Sequence, residues 1–275
     1  MDKSIAVLAR TNRGLRVIEE VLTEAGVKYH LVGGSGYWTS EEVKSAISWL
    51  SAVVYPANHI LAGVLRTSFH PTKFLPKSKI LARFKELKET DPEVSYWKVL
   101  TTEPQTLVEQ KNLSSLRDFV SFVHGLSRYR DLPAADALKS VYNVLKVGDF
   151  YAEGEFQIDS DPLENLAELL KLAGRYKTVK EFLDFCRRAT AASKSKKGVA
   201  LATAHAAKGL EWHTVHIVGC QAEMMPHKKA TDLEEERNIF FVACSRAERE
   251  LFITFSGEPS PFLQDCGIMP VRGEE

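Results

Sequence analysis

The chain is 275 residues long and 44% apolar, enough for one large domain or two small ones with a proper core. Lysine plus arginine equals aspartate plus glutamate at 36 each, so bulk charge indicates no polyanionic partner. Met1-Asp2-Lys3 leads into a strand-like run without a signal sequence, and no apolar stretch approaches the roughly twenty residues that span a bilayer. A soluble, cytoplasmic protein with no membrane partner is expected.

Residues 4–9 form a short apolar run of buried-strand length. Asn12 is placed to cap a helix carrying Leu15, Ile18, Leu22 and Ala25 at helical spacing, and Gly26 ends it. Residues 27–32 read as a second strand closed by Gly33-Gly34, so strand, helix and strand imply a right-handed parallel crossover. A helix over about 41–55 stops at Pro56, with Val43, Ile47, Leu50 and Val54 on one face.

From Pro56 onward helical periods dominate, over 113–129, 134–147, 162–173 and 179–192. Phe119, Phe122, Phe182 and Phe185 sit at helical spacings as core residues. Residues 66–88 carry seven basic residues (Arg66, Lys73, Lys77, Lys79, Arg83, Lys85, Lys88) against Glu86 alone. Such a run suits either phosphate contacts or a solvated face. After the polar break Lys194-Ser195-Lys196-Lys197-Gly198, buried strands return over 199–203, 214–218 and 251–255, with a helix over about 233–246. The simplest architecture is an α/β domain built from residues 1–55 and 197–275 and interrupted by an all-helical insertion over 56–196. Cys186, Cys220, Cys244 and Cys266 lack metal-ligand spacing and read as reduced core thiols, with no metal site expected.

The most informative stretch is Thr203-Ala204-His205-Ala206-Ala207-Lys208-Gly209-Leu210-Glu211-Trp212, which places polar groups just beyond a strand. In open α/β sheets ligands bind in the crevice at the carboxyl ends of the strands. Gly209 lets backbone amides approach a phosphate, and Glu211 can accept from a ribose hydroxyl. Thr203 and His205 can donate to a nucleic-acid backbone; His205 taken alone reads better as a loop histidine bonded to a carbonyl, and the ten-residue context reverses that preference. Arg246 ends an amphipathic helix and Arg10 ends the first strand. Both suit a phosphate-sensing role, against the plainer alternatives of a salt bridge to Glu234, Glu235, Glu236 or Glu248, and of a surface arginine capping the sheet. Tyr37-Trp38 suits core packing more than base stacking.

Together these segments resemble the second motor domain of superfamily 1 UvrD/Rep/PcrA-type DNA helicases, over nearly the whole chain. Residues 5–12 with 15–20 and Gly33-Gly34 resemble the family's fourth motif, and Glu41-Glu42-Val43-Lys44 the segment after it. Residues 203–212 resemble the fifth motif, and Glu235-Glu236-Arg237 through Arg246-Ala247 the sixth. Glu164-Asn165-Leu166-Ala167-Glu168-Leu169 resembles the family's Glu-Asn-Leu-x-Glu-Leu run. Met224-Met225-Pro226-His227 follows a strand and resembles a family loop that lies near the DNA, with a plain loop as the alternative.

The resemblance implies a RecA-like parallel sheet with flanking helices. Arg10 and Arg246 would converge at one rim to face the ATP γ-phosphate across an interdomain cleft, and Gly209 and Glu211 would contact the nucleotide. Thr203 and His205 would touch single-stranded DNA, with Lys208 holding the turn or a phosphate. It further implies 3′→5′ movement and a mobile helical insertion that meets duplex DNA or restrains unwinding. Ser245 replaces the usual threonine and Phe241 a common tyrosine. The glycine-rich duplex-gripping loop is not found; Arg66-Thr67-Ser68-Phe69-His70-Pro71 occupies its place.

The sequence has no Gly-x-x-x-x-Gly-Lys-Ser/Thr loop and no apolar strand ending in Asp-Glu. ATP and Mg2+ would therefore be held mainly by a first motor domain, acting in cis or in trans. A fragment of a longer helicase, unable to hydrolyse ATP alone, is expected. The alternative is a non-enzymatic DNA- or protein-binding module derived from a helicase domain.

Overall fold

The computed structural model describes residues 4–33, 36–55, 57–67, 72, 75–102, 113–152, 162–194, 197–228 and 230–267. Residues 1–3, Gly34, Pro56, residues 68–71, Lys73 and residues 195–196, named above, lie outside that set. The chain divides into two compact units, residues 1–39 with 187–275, and residues 40–186.

The first unit is built on a parallel sheet. Its strands are β1 (Ile5–Ala9), β2 (Tyr29–Leu31), β3 (Val199–Thr203), β4 (Trp212–Ile217) and β5 (Ala247–Ile253), in spatial order β2-β3-β1-β4-β5. β1 is central, with Ala9 opposite Thr203 on one side and Leu8 opposite Ile217 on the other. The first two strands are thus separated by β3, and β1–helix–β2 is a crossover that skips one position.

Alternation along the central strands gives the sheet two apolar faces. Ala6, Leu8, Ala200, Ala202, Val215 and Ile217 pack with Ile239, Phe240, Ala243 and Phe262. Ala9, Leu201 and Val7 pack on the other face with Leu15, Ile18 and Leu22. Those last three lie on α1 (Asn12–Glu24), which Thr11 caps rather than Asn12: its hydroxyl accepts from the Gly14 N–H at 3.3 Å. Gly26 ends that helix at φ +67, a conformation glycine adopts without steric cost.

The second unit is helical. It runs through α2 (Glu41–Val54), α3 (Asn58–Leu65), α4 (Lys77–Thr90), α5 (Tyr96–Thr102), α6 (Leu113–Gly125), a 3₁₀ turn (Leu126–Tyr129), α7 (Ala134–Leu145), α8 (Val147–Ala152) and α9 (Pro162–Ala173). α10 (Val179–Ser193) crosses its boundary. Trp49 is fully buried, edge-on to Phe119 and Phe122, and its indole N–H donates to Thr67 Oγ1 at 3.0 Å.

The breaks expected after residues 55 and 196 lie after residues 39 and 186 in the division into compact units. α2 packs on α3, α7, α9 and the 3₁₀ turn, so its apolar stripe serves the helical unit rather than the sheet. Two segments quoted for the family resemblance meet inside this unit, where the Asn165 amide donates to the buried Glu42 carboxylate. Cys266 is exposed, unlike the core position expected for it. No helix among the described residues is long and apolar enough to cross a membrane.

Glu19 on α1 is a buried carboxyl, 2% exposed, whose Oε2 accepts from the Tyr29 phenol at 3.3 Å. Burial pushes it up to about 7, against the opposing pull of the Tyr29 hydrogen bond and the Arg16 charge. The folded state therefore holds more protons than the unfolded chain between about pH 4.5 and 7, and stability falls as pH rises through that window. The full span amounts to about 3 kcal/mol. Glu19→Gln is expected to flatten this slope and to raise the urea midpoint at pH 8 relative to the parent, while changing it little at pH 5.

Candidate functional site

The carboxyl-end edge of the sheet and one face of it carry the residues of interest. After Thr203 the chain forms a compact turn over 204–211. The Ala204 N–H donates to the Ala9 carbonyl, the Ala206 N–H to Thr203 Oγ1 at 3.2 Å, and the Leu210 N–H to the Ala207 carbonyl. Ala204 and Ala207 are buried among the residues that pack under Ile239 and Phe240, which fixes the turn on that face. His205, Lys208, Gly209 and Glu211 are exposed. Gly209 has φ +85, with open space where a Cβ would stand. Gly33 comes close: a Cβ there would meet Ala206 Cβ at 2.7 Å. The turn thus presents amides, a lysine and a carboxylate outward from a rigid, alanine-rich base.

The same face is covered by α11 (Leu233–Cys244). Asp232 caps it, accepting from the Glu234 and Glu235 N–H groups, and Glu234, Glu235 and Glu236 crowd its first turn, where the helix dipole favours negative charge. Arg10 continues the alternation of Ala6 and Leu8 and so reaches this face. Its Nε donates to both Glu236 oxygens at 3.0 and 3.1 Å, and its Nη2 to Oε1 at 2.5 Å. The His227 N–H donates to Glu236 Oε2 at 2.9 Å. Burial alone pushes the Glu236 carboxyl up, but the Arg10 hydrogen bonds, the His227 amide and the two nearby positive charges outweigh it, holding the group below its ordinary range.

Arg246 sits at the other end of α11. Its Nε donates to the Val242 carbonyl and its Nη1 to the Leu210 carbonyl, both at 3.0 Å, and its Nη2 to Ser245 Oγ at 2.9 Å. It closes the carboxyl end of the helix, as a cation suits that pole, and steadies the last part of the 204–211 turn.

The expected convergence of Arg10 and Arg246 at one rim is therefore corrected. Arg10 follows the carboxyl end of β1, whereas Arg246 precedes β5, whose first residue Ala247 pairs with Trp212 at the amino end of β4. In a parallel sheet those positions lie on opposite edges. The helical rise between their contacts at Glu236 and Val242, with side-chain reach added, separates the guanidiniums by on the order of 10–15 Å. Two stations result: Arg10 with Thr203 at one edge, and Arg246 with Leu210 and Glu211 at the other. Tyr37 and Trp38 are 8% and 1% exposed and belong to the core.

The sequence reading named Glu236 only as a possible partner for Arg246 and within the sixth motif, and missed its pairing with Arg10. The signal was available: Glu236 shares a helical stripe with Ile239, Phe240 and Ala243, so an acid stood at a core position.

These environments set unequal costs. Arg10→Ala strands a buried carboxylate and is expected to destabilise the sheet unit by about 2–4 kcal/mol. Arg246→Ala removes solvent-facing caps and is expected to cost about 1 kcal/mol. Urea unfolding of the two variants checks the order, and equal losses would contradict the burial argument.

The whole described arrangement matches a known family. The model of the UvrD-like helicase C-terminal domain covers residues 1–258. The chain is 28% identical to the ATP-dependent DNA helicase PcrA of Bacillus subtilis over 91% of its own length and 36% of that protein. It is 26% identical to the ATP-dependent DNA helicase srs2 of Schizosaccharomyces pombe, over 91% of the chain and 31% of the relative. Against PcrA of Staphylococcus aureus (strain Mu50) it is 26% identical over 98% of the chain and 39% of the relative. The chain thus spans about a third of the length of these relatives. With its parallel sheet, its helical second unit and a family match running through both, the chain belongs to the UvrD-like helicase C-terminal domain family.

Proposed function

We propose that the chain is the second motor half of an ATP-dependent 3′→5′ DNA helicase, working against a phosphate-loop domain supplied in cis or in trans. The observation that carries this reading is the single sheet face on which Arg10, the 204–211 turn and α11 are assembled. Those groups suit a nucleotide: a guanidinium at the carboxyl-end edge for a phosphate, a positive-φ amide at Gly209, and the exposed Glu211 carboxylate for a ribose. They do not suit Mg2+, because Glu236 is already taken by Arg10 and the His227 amide. The metal belongs to the partner domain in this reading.

Each residue then has a separable task. Arg10 senses the γ-phosphate when the two domains close. Arg246 holds Leu210, and with it the Gly209–Glu211 end of the turn, in register for the nucleoside. It would reach a phosphate only after leaving the Leu210 and Val242 carbonyls. Thr203, His205 and Lys208 contact single-stranded DNA on the outer side of the turn, while the helical unit, with basic residues along α4, meets duplex DNA.

One observation favours the second reading, a DNA-binding module without a motor: both arginines are engaged within the chain rather than extended from it. The two readings part in one experiment. Alone, the chain is expected to hydrolyse no ATP; joined to the phosphate-loop domain of the same motor, it should support DNA-stimulated hydrolysis. Arg10→Ala should lower that rate on the order of 10³-fold, the size found for arginine fingers. Tight DNA binding by the joined protein without hydrolysis would establish the module instead.

A further inference from the structure

Glu236 is 2% exposed and carries four short contacts: three from Arg10 and one from the His227 amide. The grip on Arg10 is side-on, through Nε and Nη2. A guanidinium held along that edge has its plane and direction fixed, because its donors form a rigid fork. The Arg10 side chain retains 18% exposure, so the group is held but not enclosed.

The second half of the contact is equally specific. His227 belongs to a turn that leaves β4 and folds on itself: the Met225 N–H donates to the Gln221 carbonyl, Lys228 N–H to Glu223, and Ala230 N–H to His227. Met225 is fully buried beside Cys220. One carboxylate therefore joins the end of β1, the first turn of α11 and the 221–228 turn, three segments far apart in sequence.

We propose that Glu236 is the positioning residue for Arg10, setting the direction in which that guanidinium is offered to a phosphate and linking its displacement to the 221–228 turn. A phosphate competing for Arg10 relaxes the pull on Glu236 Oε1, and the His227 contact on Oε2 carries that change into the turn. This inference rests on the reading of Arg10 as a phosphate-contacting residue.

Its test is a double-mutant cycle in the complete motor, with this chain continuous with its phosphate-loop domain, measuring DNA-stimulated ATP hydrolysis. Glu236→Gln keeps an acceptor for His227 but removes the charge that grips Arg10. It is expected to lower kcat about 10- to 100-fold, as small misplacements of an acting group do. The KM for ATP should stay within about threefold, and because a loss of folded protein would also lower kcat at constant KM, a parental urea midpoint and far-UV circular dichroism for Glu236→Gln must accompany the drop. Adding Glu236→Gln to Arg10→Ala should change kcat less than about twofold, because the group being positioned is gone. An equal loss with and without Arg10, or a parental kcat for Glu236→Gln, overturns the proposal. Should Glu236→Gln alone fail to fold, the comparison of Arg10→Ala with Arg10→Ala/Glu236→Gln still decides, since the stranded guanidinium is absent from both.

A second arm keeps this outcome distinct from failure of the functional reading. In the chain alone, the Arg10 Nε–H resonance should exchange slowly and should lose that protection in Glu236→Gln. Protection lost on substitution, together with a parental rate for Arg10→Ala, rejects the sensor role of Arg10 and with it the positioning proposal. No protection in the parent rejects the grip itself.

Discussion

The fold depends on the satisfaction of β1. It is the middle strand of its sheet, and its backbone groups pair on one side with residues 200–203 and on the other with residues 214–217. Buried peptide groups cannot be left unpaired without a cost comparable to a lost hydrogen bond each. The first strand of the chain therefore has no stable state until the last third arrives. Between those partners the chain builds residues 40–186, a unit with its own core around Trp49, so the entropy of bringing the ends together falls on a segment already compacted. That is the physical reason a helical insertion is tolerated in a sheet of this kind.

α11 is the ruler of the site. It lies on the face that carries the 204–211 turn, with a cap and three acids at its start and an arginine closing its end. Its length separates the two guanidiniums. The acids at its start and Arg246 at its end use the helix dipole in the favourable sense, while Arg10 is stabilising through its ion pair with Glu236, so each arginine is a structural element before it is anything else. Any movement that takes either one to a phosphate must replace contacts of the same kind, and a phosphate oxygen is a suitable replacement for a carboxylate or a carbonyl.

Much of this was legible in the sequence, and the misses have physical causes. β1 and β3 were readable because strands buried on two faces are continuously apolar. β5 was read from residue 251, but it starts at Ala247. Glu248, Arg249 and Glu250 are exposed at the sheet edge, where pairing on one side does not require an apolar residue. α2 was assigned to the sheet because periodicity says that a face is buried without saying against what. The placement of both arginines on one rim failed for a topological reason that the strand order contained: one follows a parallel strand and the other precedes one.

Glu19 and Glu236 show how far one residue type can be driven by its partners. Each is 2% exposed on the first unit, so desolvation pushes both upward. Glu19 has a phenol within hydrogen-bond reach and a nearby but unbonded arginine charge, and desolvation prevails. Glu236 has a bidentate guanidinium, a backbone amide and the amino end of a helix, and its ionised form prevails. Near neutral pH the first is a carboxyl close to its titration point inside a packed face, while the second is an anion at the edge where, in the function proposed, a nucleotide approaches. A fixed anion there has a consequence for any triphosphate: it repels the incoming charge unless Arg10 screens it. The pair as a whole is close to neutral, and only its outward part is cationic, so the same contact that steadies the arginine also limits how strongly it can attract. An arrangement of that kind favours response to a phosphate already held elsewhere over capture of one from solution, which is the behaviour required of a domain that senses what another domain binds.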